Sequence, residues 1–230
     1  MADSEADHQA ATATPALAAW NLTKGYQGAT GFHWLFQNLS FEVRPRDKLA
    51  VLGRNGQGKS TLIRILGGAT PPTEGYVDYG LSTSWPIAFG GGFQGSLTGL
   101  DNIKFIARIY DKPLGAVRDY VAWFSELGDY LDMPVKTYSA GMRARLAFGL
   151  SLAIEFDCYL IDEVMAVGDA EFARKSHREL FEKRADRAFI IASHDVNFLK
   201  NVCTKAIVIH QGQAKLFEDV DLAIEIYQAL

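Results

Sequence analysis

Apolar residues recur along the chain in two rhythms, and each rhythm predicts a kind of element. In "FEVRPRDKLAVLG" alternating and then continuous apolar positions predict strands, and residues 48–53 (KLAVLG) read as a buried strand ending in glycine. Lys59–Leu66 follows with Leu62, Ile63 and Leu66 on one face, the spacing of a helix packed on one side. Gly67–Gly99 is punctuated by Gly and Pro and holds short strand-like pieces. From Leu100 to Leu131 the pattern turns helical and predicts a lobe of its own. A helix over Ser139–Ile154 leads into "CYLIDE", a short apolar strand closed by two acids. A charged helix (Ala170–Arg184), a strand in "AFIIASHD", a hairpin (Ala206–Phe217) and a short helix (Leu222–Ala229) complete the pattern. Strands alternating with helices predict an α/β domain on a mostly parallel sheet. Residues 1–18 are low in complexity and poor in large apolar residues, so the expectation is a disordered tail with structure beginning at Ala19.

Composition narrows the class. The 230 residues are 48% hydrophobic and 22% charged, which suits one packed domain with room for an inserted subdomain. A net charge of −4 and a pI near 5.7 give no basic face for a polyanion, so nucleic acid is not an expected partner. Cys158 and Cys203 lie in apolar runs and read as buried free thiols of a reducing compartment. The N-terminus is acidic and polar rather than a secretion signal. The most apolar stretch, Leu146–Ile161, is interrupted by Glu155 and Asp157, short of the ~20 apolar residues that span a bilayer. The reading is of a soluble, cytoplasmic protein whose work at a membrane would need a spanning partner.

The chemistry enters at "GRNGQGKST". Gly53, Arg54, Asn55, Gly56, Gln57, Gly58, Lys59, Ser60 and Thr61 match G-x-x-x-x-G-K-[ST] at every fixed position, between a predicted strand and a predicted helix. Glycines let backbone N–H groups wrap phosphates; Lys59 then reaches the β- and γ-phosphates, and the Ser60 hydroxyl is a ligand for Mg²⁺. "CYLIDE" puts Asp162 at the carboxyl end of a buried strand, where it can hold the Mg²⁺ shell. Glu163 follows as the group that orients or deprotonates an attacking water. His194 closes the strand of "FIIASHD" in the same way, at the strand ends where open α/β sheets bind ligands. A second anion-friendly stretch, "YSAGMRARLAFGL", runs from small residues into a helix. One chain thus carries two phosphate sites.

A phosphate loop, a glutamine, a "YSAGM"-type stretch, the apolar-Asp-Glu strand and a strand-end histidine, in that order, resemble the ABC ATPase family over nearly all of residues 19–220. The resemblance implies a P-loop NTPase core of the ABC-ATPase type. That is a mostly parallel sheet flanked by helices with an antiparallel β subdomain, plus an inserted α-helical subdomain at roughly 97–150. It also implies ATP and Mg²⁺ as cofactors and a head-to-tail homodimer, in which Ser139 and Gly141 of one copy complete the site of the other. Against the usual L-S-G-G-Q, Ala140 still permits close approach, whereas Met142 forfeits a polar contact. By the same resemblance Gln94 senses Mg²⁺ and the attacking water, Tyr26 stacks on adenine, and Asp169 of "AVGD" crosses the dimer interface.

Longer stretches, among them "SWPIAFGGGFQGSLTGLDNIKFIARIY" and "YSAGMRARLAFGLSLAIEFDCYLIDEVMAVGD", resemble the ATP-binding subunits of bacterial capsular polysaccharide exporters. This branch implies two such ATPases and two membrane-spanning permease subunits at the cytoplasmic face of the inner membrane, exporting an acidic, lipid-linked polysaccharide. The stretch after His194 is too short for the carbohydrate-binding domain of related O-antigen exporters, which leaves glycan contact to the permease. O-antigen or teichoic acid exporters, and a soluble ABC ATPase without a transport role, remain as alternatives. Trp85, Phe89 and Phe93 are expected either on the surface that transmits closure to the permease or in the subdomain core.

Overall fold

The structure, a computed structural model, describes residues 15–28, 31–87, 94–163 and 169–230. Two sheets carry it. Strands β1 (Leu17–Gly28), β2 (Gly31–Val43) and β4 (Glu74–Tyr79) form an antiparallel sheet in the order β2-β1-β4. Strands β3 (Lys48–Leu52), β5 (Thr83–Pro86), β6 (Cys158–Asp162), β7 (Ala188–Ala192), β8 (Lys205–His210) and β9 (Gln213–Phe217) form the second, in the order β5-β6-β7-β3-β8-β9. That sheet is parallel from β5 to β8, and β9 closes it as an antiparallel edge. The predicted parallel sheet and antiparallel subdomain are both present.

The inner parallel strands β3, β6, β7 and β8 read as nearly unbroken apolar runs because both of their faces are covered. Alternate residues divide cleanly between two cores. Leu49, Val51, Cys158, Leu160, Ile190 and Ile207 turn toward α1 (Lys59–Leu66) and the antiparallel sheet. Ala50, Leu52, Tyr159, Ile161, Phe189 and Val208 turn toward the helical lobe and the C-terminal helices. The lobe comprises α2 (Gly99–Ile109), α3 (Leu114–Ser125), two short 3-10 turns (Gly128–Asp132, Val135–Thr137) and α4 (Ala140–Ala153). From Leu146 to Leu152 every residue of α4 is buried, as expected for a helix enclosed on all sides. Three further helices follow: α5 (Ala170–His177), α6 (Val196–Val202) and α7 (Val220–Ala229).

The differences from the expected pattern are local. Strand β1 begins at Leu17, so Leu17 and Ala18 belong to the domain; both are buried in its antiparallel sheet. The rest of the expected disordered tail, residues 1–14, lies outside the described residues. The charged helix expected over Ala170–Arg184 is α-helical only to His177 and then widens into a π turn, Arg178–Glu182. Trp85 is half-buried, its indole N–H donating to Ser151 Oγ across 2.8 Å, its ring packed on Tyr110 and Phe156. Of the two readings open for Trp85, the structure supports subdomain core; Phe89 and Phe93 lie outside the described residues.

Candidate functional site

The phosphate-type loop occupies the turn from β3 into α1. Gly58 sits at the N-terminus of α1 with φ 111°, a left-handed conformation that suits glycine. The first turn of α1 carries no acidic residue and no side-chain cap, so no side chain there competes with an anion for its N–H groups. Within the loop, Arg54 N–H donates to Gln57 Oε1 across 3.0 Å and Gln57 N–H returns to Arg54 O across 3.2 Å. The buried Lys59 folds back on the loop, donating to Gly53 O across 2.7 Å.

Strand β6 delivers the acids to this loop. The Ser60 hydroxyl donates to Asp162 Oδ1 across 2.9 Å, although the two residues are 102 positions apart. Glu163 takes a left-handed φ of 58°, and its N–H donates to Ala192 O across 2.9 Å, which locks the end of β6 to the end of β7. Glu163 joins Asn55, Gly56, Gly58, Lys59, Ser60 and Thr61 around a cavity of about 310 Å³. His194, beyond the end of β7, is 82% exposed and places Nδ1 3.5 Å from Glu163 Oε1. Ser60 and Asp162 are hard oxygen donors lying side by side. Among the described residues no group of three or more His, Cys, Asp or Glu could enclose a metal. Two protein oxygens suit Mg²⁺, which keeps waters and phosphate oxygens for the rest of its shell.

The remaining expected residues stand apart from this cavity. Ser139 caps α4, its Oγ accepting from Met142 N–H across 3.2 Å, and both Ser139 and Gly141 are exposed. A Cβ on Gly141 would meet only Ser139 Oγ, at an ordinary 3.9 Å, so among the described residues nothing requires glycine there. Met142 is half-buried against the helical-lobe core, which gives this departure from the usual glutamine a packing role. Gln94 is exposed and does not line the cavity; its N–H donates to the buried Asn102 Oδ1 across 3.1 Å. Asp169 caps α5, accepting from Glu171 and Phe172 N–H, while its other oxygen pairs with Arg145 at 2.9 Å. The Phe172 N–H is the main cause holding the Asp169 carboxyl below its ordinary range. Ala166, Val167 and Gly168 of the same loop lie outside the described residues. Tyr26 is 47% exposed near the end of β1.

Sequence reasoning missed Arg145, Asn102 and Lys24. Arg145 acts through contacts 19 and 24 positions away, and Asn102 through a side-chain clasp on the Gln94–Thr98 loop just before it; periodicity registers neither. Lys24 lies where β1 is irregular in register and buried at four successive positions, so strand alternation did not mark it.

Among the described residues no helix is long and apolar enough to cross a membrane. The chain is 53% identical to the ATP-binding protein BexA of Haemophilus influenzae over 207 residues, 90% of this chain and 95% of that protein. It is 52% identical to the capsule polysaccharide export ATP-binding protein CtrD of Neisseria meningitidis serogroup B, over 93% of this chain and 99% of that protein. A solved ATP-binding subunit of an ABC transporter superposes with a TM-score of 0.77 at 19% identity, covering 92% of this chain and 93% of that one. Residues 36–166 match the family model described as ABC transporter. With more than half of its length inside that match and such relatives over nine-tenths of it, the chain belongs to the ABC transporter family.

Proposed function

We propose that this chain is the ATP-hydrolysing, nucleotide-binding subunit of an exporter that moves an acidic, lipid-linked capsular polysaccharide across a bacterial inner membrane. The observation that carries the reading is identity of 52–53% with BexA and CtrD along about nine-tenths of the chain. The geometry agrees with hydrolysis: Lys59, Ser60 and Glu163 line one cavity, and Asp162 is bonded to Ser60.

In this reading the backbone of Gly53–Thr61 cradles the phosphates and Lys59 exchanges its bond to Gly53 O for phosphate oxygens. Ser60 and Asp162 would hold Mg²⁺, with Gln94 as the further residue that senses it. An ion held there would neutralise charge on the β- and γ-phosphates. Glu163 orients and deprotonates the attacking water, and His194, beside it, meets the γ-phosphate. Tyr26 stacks on the adenine.

Ser139 and Gly141 are exposed and do not line their own chain's cavity; they serve a second copy, whose γ-phosphate they meet in a head-to-tail homodimer. The small Gly141, unneeded within its own fold, leaves room for that approach. Asp169 lies at the same interface. Two membrane-spanning permease subunits hold the pair at the cytoplasmic face and contact the polysaccharide.

The test uses Glu163→Gln. Losing a base typically costs about 10²–10⁴ in rate, so phosphate release should fall by that factor while ATP holds the variant as a dimer on size-exclusion chromatography. In the native host the same replacement should stop surface polysaccharide and leave polymer inside the cell. Undiminished hydrolysis would remove Glu163 from its role. Undiminished surface polysaccharide with hydrolysis abolished would remove the export reading.

A further inference from the structure

Behind Tyr26 lies a charge that the nucleotide site does not otherwise use. Lys24 is two residues earlier on β1, with a register irregularity between it and Gly25, and its side chain lies against the Tyr26 ring. It is 8% exposed, and its ammonium stands 4.9 Å from the centroid of the Tyr26 ring. The same ammonium donates to Pro71 O across 2.8 Å. A buried ammonium with one carbonyl partner is costly, and a neutral side chain would fill the space without that cost. The ring face supplies the second interaction. Tyr26 itself remains half exposed, so the ring is held from within and open to solvent without.

We propose that Lys24 is a positioning residue for the nucleotide base: its ammonium fixes the Tyr26 ring from beneath and sharpens the outer surface on which adenine stacks. The inference rests on the reading of Tyr26 as the base platform. A cation on one face draws π density from the ring, and the outer face then pairs better with an electron-rich purine. The bond to Pro71 adds a geometric constraint. Pro71 belongs to the turn that follows α1, and α1 begins at the phosphate loop. Thr73 N–H donates to Thr23 O across 2.8 Å and Gly25 N–H donates to Thr73 Oγ1 across 3.2 Å, so two more bonds sew that turn to β1. Across the ladder Lys24 faces the fully buried Phe36, which packs beside Gly58. The base platform and the phosphate loop are therefore tied together from both sides, and the span between base and phosphates is set in advance.

The experiment measures binding of ATP and of tripolyphosphate, which has phosphates but no base. Lys24→Met keeps the length of the stem and removes the charge. ATP should bind about three- to tenfold more weakly, between the scales of an exposed and a desolvated cation–π contact, while tripolyphosphate binds as before. In hydrolysis the loss should fall on KM rather than kcat, and Lys24→Arg should recover most of it. Tyr26→Ala should also weaken ATP, and Tyr26→Ala with Lys24→Met should be no weaker than Tyr26→Ala alone. Equal loss for ATP and tripolyphosphate, or strictly additive effects, would overturn the role of Lys24 and leave the Tyr26 platform standing. Intact ATP binding in Tyr26→Ala would overturn both.

Discussion

Glu163 holds a backbone conformation that its side chain does not favour. At φ 58° a residue with a Cβ crowds the following carbonyl, at a cost of about 1–2 kcal/mol. The bond from its N–H to Ala192 O and the pairing of β6 with β7 impose that conformation. The result is that Glu163 lines the phosphate-side cavity, so the strain is the counterpart of the placement. Asparagine tolerates the left-handed region better than glutamate does. Glu163→Asn should therefore raise stability by about 0.5–1 kcal/mol while hydrolysis falls about 10²–10⁴-fold. Denaturation midpoints and phosphate release, measured on one preparation, check the opposition. A variant that loses stability along with activity would show that Glu163 is held by its side chain, not merely by its backbone. The exposed contact with His194 is too weakly desolvated to reverse the sign.

At the scale of elements, β4 has little burial of its own and depends on pairing with β1. Gly75 makes that pairing possible. It has φ 81°, and a Cβ there would lie 2.3 Å from Trp20 O and 2.5 Å from Asn21 O, where the β1–β4 register shifts. Gly75→Ala adds strain of about 1–3 kcal/mol to a contact with backbone that cannot move aside. Chemical denaturation should record that loss, and hydrogen exchange should place it in β4 before the parallel sheet; unchanged protection in β4 would refute the account. The same strand marks what the sequence could not disclose. The helix over Lys59–Leu66 was legible to the residue, since its glycine entry and one-sided apolar face are both local. The inner parallel strands β3, β6, β7 and β8 were legible because burial on two faces writes continuous apolar runs. By contrast, β4 and β5 lie side by side in sequence yet join different sheets, a choice made by partners far along the chain. The π turn at Arg178–Glu182 was equally hidden. It is held by Arg184, which donates to Glu179 O, and by Tyr120, whose hydroxyl donates to Glu179 Oε2 from the other lobe.

Across the whole molecule, distant segments are joined by carboxylates that work best when ionised. Glu126 at the end of α3 bonds to Lys175 of α5 and to Arg145 of α4, and Arg145 continues to Asp169. No motif reveals this chain of contacts, because its members are scattered over more than forty positions. At the opposite edge Asp157 accepts from the Ser82 hydroxyl and N–H and pairs with Arg187. The bond from Lys175 is the main cause holding Glu126 below the ordinary carboxylate range, with Arg145 contributing; for Asp157 the main cause is the Ser82 hydroxyl. A group whose pKa is lower folded than unfolded stabilises the fold above its unfolded value. That contribution is lost as pH falls through the folded one. Unfolded carboxyls titrate near 4, so the thermal midpoint should stay level from about pH 7 to 5 and decline below about pH 4. Glu126→Gln with Asp157→Asn removes two of the groups responsible. The double variant should start with a lower midpoint at pH 7 and lose less on acidification, so that the two profiles draw together as the pH falls below about 4. Parallel profiles would mean that the acid sensitivity resides elsewhere. Raising the salt concentration should bring the wild-type profile part of the way toward the variant's, since these pairs lie near the surface and within reach of screening ions.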